Sequence, residues 1–131
     1  MANEAVLVFE TDRPIPFTCA DGAGIEKGCV LKLADPMTVS ATSADNDIFG
    51  GIAAEEKIAS DGKVKIGVYR RGIFKMLVGA AGVTVGKDVV ISAANTVVDY
   101  TTLDDEKGYK VGKALETAAN GETALIEVNP N

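Results

Sequence analysis

The sequence predicts an all-β fold, a small barrel or sandwich of short strands with at most one short helix. Three observations support this prediction: short aliphatic and β-branched runs alternate with turn signals, the chain has 14 glycines, and aromatic residues make up only 5%. Short apolar strands that end in glycine corners are typical of closed sheets. The 131 residues suffice for one domain with its own core, which, without Trp, is built from Val, Ile, Leu and Ala.

The first 17 residues predict an extended N-terminal arm, and residues 18–131 predict a single β-rich domain. Within the arm, residues 5–9 have the composition of a strand. Pro14 and Pro16 follow, and because each removes a backbone donor, this segment cannot lie in the interior of a sheet. Two interpretations stay open: an arm that becomes ordered on a partner, and a packed edge strand with an irregular exit.

Residues 63–92 are the centre around which the chain is organised. Val64, Ile66 and Val68 alternate with polar residues, which indicates a half-buried strand. A basic Arg70-Arg71 pair, expected at a hairpin tip, precedes a second apolar strand over 73–78 and a third over 89–91. No acidic residue occurs between positions 61 and 88, so the apolar centre is also the basic stretch of the chain.

Other short segments on both sides of this centre also predict strands. They are residues 29–33, 48–54, 96–100, 109–116 and 124–128. Residues 38–47 and 101–108 are polar and predict loops. Residues 55–60 have helical composition but are too few for a stable helix.

The two halves of the chain resemble each other weakly. The unit at residues 25–31 resembles that at 83–90, and the Gly-X-Ala run at 51–53 resembles that at 112–114; in each case a turn glycine and a strand follow. A duplication and the common pattern of small β-units explain this equally well. Both predict a compact barrel or sandwich of about seven to nine strands, closed at glycine corners.

The composition offers little chemistry. The chain has no His, which removes the usual proton shuttle, the Ser-His and Cys-His nucleophile pairs and the commonest metal ligand. Asp45-Asn46-Asp47 lacks the spacing of a calcium loop, and the glycines at 79, 82 and 86 lack the Lys-Ser/Thr of a phosphate-binding loop. We therefore expect no enzyme, no metal and no cofactor.

Cys19 and Cys29 cannot complete a zinc site by themselves. A bridge between them across a hairpin is sterically possible, but two reduced, buried thiols are the favoured interpretation. No signal peptide is evident and no apolar run reaches the roughly 18 residues of a membrane span, so we expect synthesis in the cytoplasm and no membrane partner. A net charge of −6 disfavours nucleic acid as a partner.

The remaining functional signal is the basic pair. Arginine guanidinium groups pair bidentately with carboxylates at interfaces. Arg70 and Arg71, with Lys75 nearby, therefore predict contact with an acidic partner or a neighbouring subunit. The alternative is an ordinary solvated turn. Together with the arm, these basic residues give a set of candidate contacts with a partner or a neighbouring subunit. The candidates are Val6, Val8, Phe9, Arg13, Pro14, Pro16, Phe17, Arg70, Arg71 and Lys75.

Five sequence units, in order, carry a resemblance to a family that covers roughly residues 16–128. They read IEKGCVLKL, GGIAAEE, VYRRGIFKMLV, AAGVTVGKDVVIS and VGKALETAANGETALIEV. In that order the chain resembles the small cement, or head-decoration, proteins of tailed bacteriophages.

The resemblance implies a virion protein on the outer surface of the capsid, synthesised in the host cytoplasm. It also implies that the protein stabilises the shell by bridging major capsid protein subunits, as a homotrimer. One alternative remains: a β-clip or barrel-sandwich module that binds a small molecule or serves as an accessory domain, which the GVTVGKDVV run would suit. A second alternative is an enzyme with dispersed carboxylates, for which no residues can be located.

Overall fold

The computed structural model describes residues 4–10, 12–44, 47–100 and 110–129. These residues form eleven strands and no helix, which confirms the all-β prediction, and none of them forms a helix that could span a membrane. The strands are β1 (Val6–Phe9), β2 (Ile15–Thr18), β3 (Val30–Asp35), β4 (Thr38–Ala41), β5 (Phe49–Ala53), β6 (Lys65–Tyr69), β7 (Gly72–Val78), β8 (Asp88–Ala93), β9 (Thr96–Asp99), β10 (Lys110–Ala114) and β11 (Thr123–Val128).

The strands form two five-stranded barrels with the same topology. The first barrel closes in the order β2-β4-β3-β5-β6. The second follows β7-β11-β10-β8-β9 and closes because β9 pairs in parallel with β7. In each barrel the first strand pairs in parallel with the third and antiparallel with the fifth. More strands form than the sequence predicted because each half closes its own sheet.

The two barrels also share details of their hydrogen bonding. The amide of Gly28 donates to the carbonyl of Ala53 at 2.8 Å, and the amide of Gly86 donates to the carbonyl of Ala114 at the same distance. Both glycines have a positive φ, 88° and 86°, which L side chains adopt rarely. The weak resemblance between the two halves of the sequence therefore corresponds to a repeated structural unit.

Closure of each barrel depends on a glycine in its fourth strand. A Cβ at Gly51 would lie 2.7 Å from the carbonyl oxygen of Tyr69, and one at Gly112 would overlap the carbonyl oxygen of Glu127. Only glycine allows β5 to approach β6, and β10 to approach β11, this closely. The pairing of β3 with β5, and of β8 with β10, is irregular near these residues.

A shared core joins the barrels. Val30, Phe49 and Ile52 of the first barrel belong to the same buried cluster as Phe74 and Met76 of the second. A separate, smaller cluster fills the first barrel. The two barrels are consequently packed against each other through apolar side chains.

A buried polar contact crosses the same interface. Asn95 lies in the turn between β8 and β9, is 1% exposed and has a φ of 60°. Its side-chain Oδ1 accepts from the backbone amide of Val30 at 2.8 Å, and its backbone amide donates to Thr42 Oγ1 at 3.1 Å. The Thr42 hydroxyl donates to the carbonyl of Val30 at 3.0 Å, so the turn of one barrel is hydrogen-bonded to two strand ends of the other.

Two predictions about individual elements were wrong. Residues 38–41, predicted as part of a loop, form β4. A tight turn at Pro36–Met37 returns the chain along β3, and pairing with β3 stabilises this strand although its residues are small and polar. Arg70 and Arg71 are not a hairpin tip: β6 pairs with β2 and β5, and β7 with β1, β9 and β11, so these two residues link the barrels. The loop predicted at 101–108 lies outside the described residues.

We predict that Gly112→Ala lowers the free energy of unfolding by roughly 3 kcal/mol or more, because the added Cβ forces β10 away from β11. Urea denaturation measures the change. Gly22→Ala is the control, since no atom lies within 4 Å of its added Cβ. An unchanged midpoint for Gly112→Ala would contradict the account of barrel closure.

Asn95→Ala should cost about 1–3 kcal/mol, because it leaves the buried amide of Val30 without an acceptor. Met37→Ala is the matched control. Met37 occupies the corresponding turn of the first barrel with a φ of 50°, but its side chain is 53% exposed. An equal decrease of the melting temperature in the two variants would show that the loss of stability comes from the turn conformation rather than from the contact between the barrels.

Candidate interaction surface

β1 presents an unprotected strand edge with exposed apolar side chains. Val6, Val8 and Phe9 are 58%, 40% and 63% exposed. β1 lies at the end of its sheet, and among the described strands it is the only one with a fully unpaired edge, because the others close into barrels. The strand contains neither charge nor proline, the usual means by which proteins protect such an edge.

The inner side of β1 is anchored to the protein. Leu7 lies opposite Phe74 of β7 and packs against the shared core, and Ala5 donates its amide to the carbonyl of Gly28 at 2.8 Å. Val6 lies opposite Lys75, an exposed residue that extends the outer face. Four of the predicted contact residues, Val6, Val8, Phe9 and Lys75, therefore form one surface, which we name the β1 edge.

Proline placement explains why β1 pairs with the second barrel. Thr18 donates its amide toward β4, so the backbone nitrogens of Pro16 and Pro14 face the same side of β2. They carry no hydrogen and cannot bond an added strand. The corresponding residues of β7, Ile73 and Lys75, lie opposite β1. The predicted boundary after residue 17 falls within β2, which belongs to the first barrel.

A groove of about 550 Å³ runs beside β1. Val6, Leu7, Tyr69 and Phe74 line it together with the charged residues Glu4 and Lys27, and the rings of Tyr69 and Phe74 lie edge to face, 5.7 Å apart. Burial, followed by the charge of Glu10, raises the pKa of the Tyr69 hydroxyl. The β1 edge is thus continuous with a second, concave apolar surface.

Three other predicted contact residues lie together on the outer face of the first barrel, in a cleft of about 470 Å³. We name it the β2–β6 cleft; it is lined by Arg13, Pro14, Pro16, Glu55, Lys63, Lys65, Ile66 and Gly67. Glu55 accepts from Lys63 Nζ at 3.1 Å and from the amide of Gly67 at 3.0 Å. These two bonds, the first more than the second, lower the pKa of the Glu55 carboxyl.

The other predicted contacts are engaged within the chain. Arg70 Nη1 donates to the carbonyl of Gly50 at 2.8 Å, and its guanidinium lies 5.6 Å from the ring centre of Phe17. Arg71 Nε is 3.8 Å from Asp12 Oδ2. Phe17 requires a correction: its ring is only 4% exposed because it fills the first barrel, so it cannot form part of a contact surface. Contact of the arginine pair with an acidic partner stays a prediction.

Sequence reasoning missed a buried lysine at the end of the first barrel. Lys57 is 2% exposed, and its ammonium bonds Asp61 at 2.6 Å, Asp21 at 3.0 Å and the carbonyls of Asp21 and Ile58. The hydrogen bond from Lys57 lowers the pKa of the Asp61 carboxyl. With four acceptors, Lys57 ties two turns together, and nothing in its local sequence distinguishes it from a surface lysine.

No metal site was found among the described residues, in which no group of three or more His, Cys, Asp or Glu side chains could hold an ion. Of the run that partly resembles a calcium loop, residues 45 and 46 lie outside the described part. Asp47 Oδ2 accepts from the amides of Ser43 and Ala44 at 2.8 and 3.0 Å, which stabilises the loop itself.

The comparisons with known proteins identify a family from the sequence and a similar fold among solved structures. The family model for phage cement proteins matches residues 9–130. Among solved structures, the chain is similar to the N base of the head fiber gp8.5 of bacteriophage phi29, with a TM-score of 0.58 and 16% identity over 88% of this chain and 93% of that one. At this identity the similarity shows the fold alone. No curated protein matches the chain significantly.

We predict that neither cysteine reacts with a thiol reagent in the native protein at neutral pH, and that both react after denaturation without reductant. Cys19 and Cys29 are unbridged and are 2% and 1% exposed, and burial raises the pKa of the Cys29 thiol to about 11. Ala80→Cys, at an exposed turn, is the positive control and should react in the native state. Denatured wild-type protein that titrates no thiols would show a disulfide instead.

Proposed function

We propose, since the chain belongs to the phage cement protein family, that it binds the outer surface of a capsid and bridges major capsid protein subunits as a homotrimer. Cement proteins are structural components of the virion, and this chain has a capsid-associated, structural role by its membership. The β1 edge is the observation that supports direct binding to a capsid subunit.

The β1 edge suits strand addition by a capsid subunit. A free strand edge gains main-chain hydrogen bonds when another strand pairs with it, and alternate side chains supply specificity. The exposed side chains of Val6, Val8 and Phe9 add apolar burial in the same contact. In an isolated protein such an edge would favour uncontrolled association, so a dedicated partner accounts for its lack of protection.

Several copies of the contact are needed for a useful affinity. Burying the exposed parts of three side chains contributes about 1 kcal/mol each, from which the cost of association must be subtracted. Joining three chains makes the second and third contacts intramolecular and raises the overall affinity without new contacts. This is the physical argument for a trimer.

Stabilisation of the shell then follows from mass action. A protein that binds the assembled, expanded shell but not separated subunits lowers the free energy of the shell by an amount that grows with its concentration. If each trimer contacts more than one capsid subunit, separating those subunits requires breaking the cement contacts as well. The net charge of −6 keeps the protein from competing for the packaged genome.

We expect Val6→Lys and Phe9→Lys to weaken binding to purified heads that lack the protein by about tenfold or more, because each places a charge in the buried part of the contact. Co-sedimentation measures the affinity. Val85→Lys is the matched control, because Val85 on the second barrel is also 58% exposed and lies outside the β1 edge. Substitutions are preferable to removing the whole predicted arm, since deletion of residues 1–17 would also remove β2 from its barrel.

Wild-type affinity in both variants would exclude the β1 edge as the docking surface, and failure of the wild-type protein to bind any head would overturn capsid binding itself. Sedimentation velocity on the same samples tests the trimer, which should have three times the 13.6 kDa mass of the chain. A protein that saturates the heads as a monomer would remove the trimer and leave capsid binding intact.

A further inference from the structure

The β2–β6 cleft has a glycine in its lining where the other repeat unit carries a leucine. Gly67 donates its amide to Glu55 Oε2 at 3.0 Å, and Leu125 donates its amide to Glu116 Oε1 at 2.9 Å, so the two residues occupy corresponding positions on the outer faces of their barrels. Leu125 is half-buried there. The first barrel therefore has an open cleft where the second has an aliphatic side chain.

The cleft is positively charged in an acidic protein. Arg13, Lys63 and Lys65 line it together with the single carboxylate of Glu55, whereas the whole chain has a net charge of −6. Lys63 is paired with Glu55 at 3.1 Å. Within the described residues, neither Arg13 nor Lys65 has an ion pair, and both are exposed. Two cations thus flank the cleft without a partner of their own.

We propose that the β2–β6 cleft binds an acidic, extended peptide segment, and, resting on the proposed function, that this segment belongs to the major capsid protein. The guanidinium of Arg13 can pair bidentately with an Asp or Glu side chain, and Lys65 supplies a second charge-assisted bond. Gly67 adds no side chain to the lining, and the rings of Pro14 and Pro16 offer an apolar wall.

The surroundings favour a peptide over a polyanion. A nucleic acid or a sulfated glycan carries charge far beyond a cleft of about 470 Å³, and outside the cleft it would meet a protein of net charge −6. The cleft also holds Glu55, which a dense row of phosphates or sulfates would repel. A segment with one or two carboxylates and small apolar neighbours matches both the charge and the size.

The first test measures binding to heads that lack the protein, at about 0.05 M and about 0.5 M salt. Lys65→Glu should weaken binding at low salt by about tenfold and flatten its salt dependence, because it reverses a charge that faces the ligand. Lys87→Glu, an exposed lysine on the second barrel with the same charge change, should alter the affinity less than about twofold.

Gly67→Leu tests the shape of the cleft. It introduces the residue that the second barrel already carries, and the nearest atom to its Cβ would be the flexible carboxylate of Glu55 at 3.0 Å, so we expect it to fold. It should weaken binding without changing the net charge. Wild-type affinity in both Lys65→Glu and Gly67→Leu would overturn the cleft proposal while leaving the proposed function intact.

The second test does not need the capsid. A capped hexapeptide with two glutamates among alanines and valines is titrated into isotope-labelled protein, and NMR shifts should cluster at residues 13–16 and 63–67 and disappear in Lys65→Glu. This result would support the cleft even if the wild-type protein bound no heads, in which case the proposed function alone would fail. Shifts elsewhere, or tighter binding at the cleft by a heparin or DNA oligomer than by the peptide, would overturn it.

Discussion

Closure of two very small barrels is the constraint on which the rest of the structure depends. A five-stranded sheet closes only if its last strands approach closely, and at Gly51 and Gly112 the backbone of the neighbouring strand occupies the space of a side chain. Closure removes the strand edges, so that nearly every backbone group of the barrel strands can pair with a neighbouring strand. β1 differs from the other described strands because it is paired on one side only, so the backbone groups on its other side have no neighbouring strand.

Repetition of one topology allows the two barrels to carry different surfaces. At corresponding positions of the first strands, Ile73 and Lys75 accept β1, whereas Pro14 and Pro16 prevent an added strand. On the outer faces, Leu125 covers its barrel and Gly67 leaves a charged cleft open. The two barrels therefore differ in surface residues that lie outside the buried clusters, while they share one topology.

The contact between the barrels makes these surfaces parts of one body. Asn95 hydrogen-bonds across the interface, and the apolar cluster around Ile52 and Phe74 is continuous across it. Arg70 and Arg71 form the short covalent link from β6 to β7; Arg70 is hydrogen-bonded to the carbonyl of Gly50, and Arg71 lies 3.8 Å from Asp12. In the proposed bridging role, these contacts would let the two barrels bear load together, because a flexible hinge between them would transmit little of it.

The sequence by itself determined the fold class, most of the strands and several of the glycine turns, because apolar alternation, proline and glycine act through local backbone geometry. It also named Val6, Val8 and Phe9 as candidate contacts, and their contact with a capsid or a subunit stays a prediction. Only the tertiary structure decided that there are two barrels, that residues 38–41 form β4, and that Phe17 lies inside while Arg13 lies outside. Those outcomes depend on which distant strand each segment pairs with. The residues of a single strand specify its partner only weakly, and the pairing is set by the free energy of closing the whole barrel. The local sequence therefore could not reveal which strands pair.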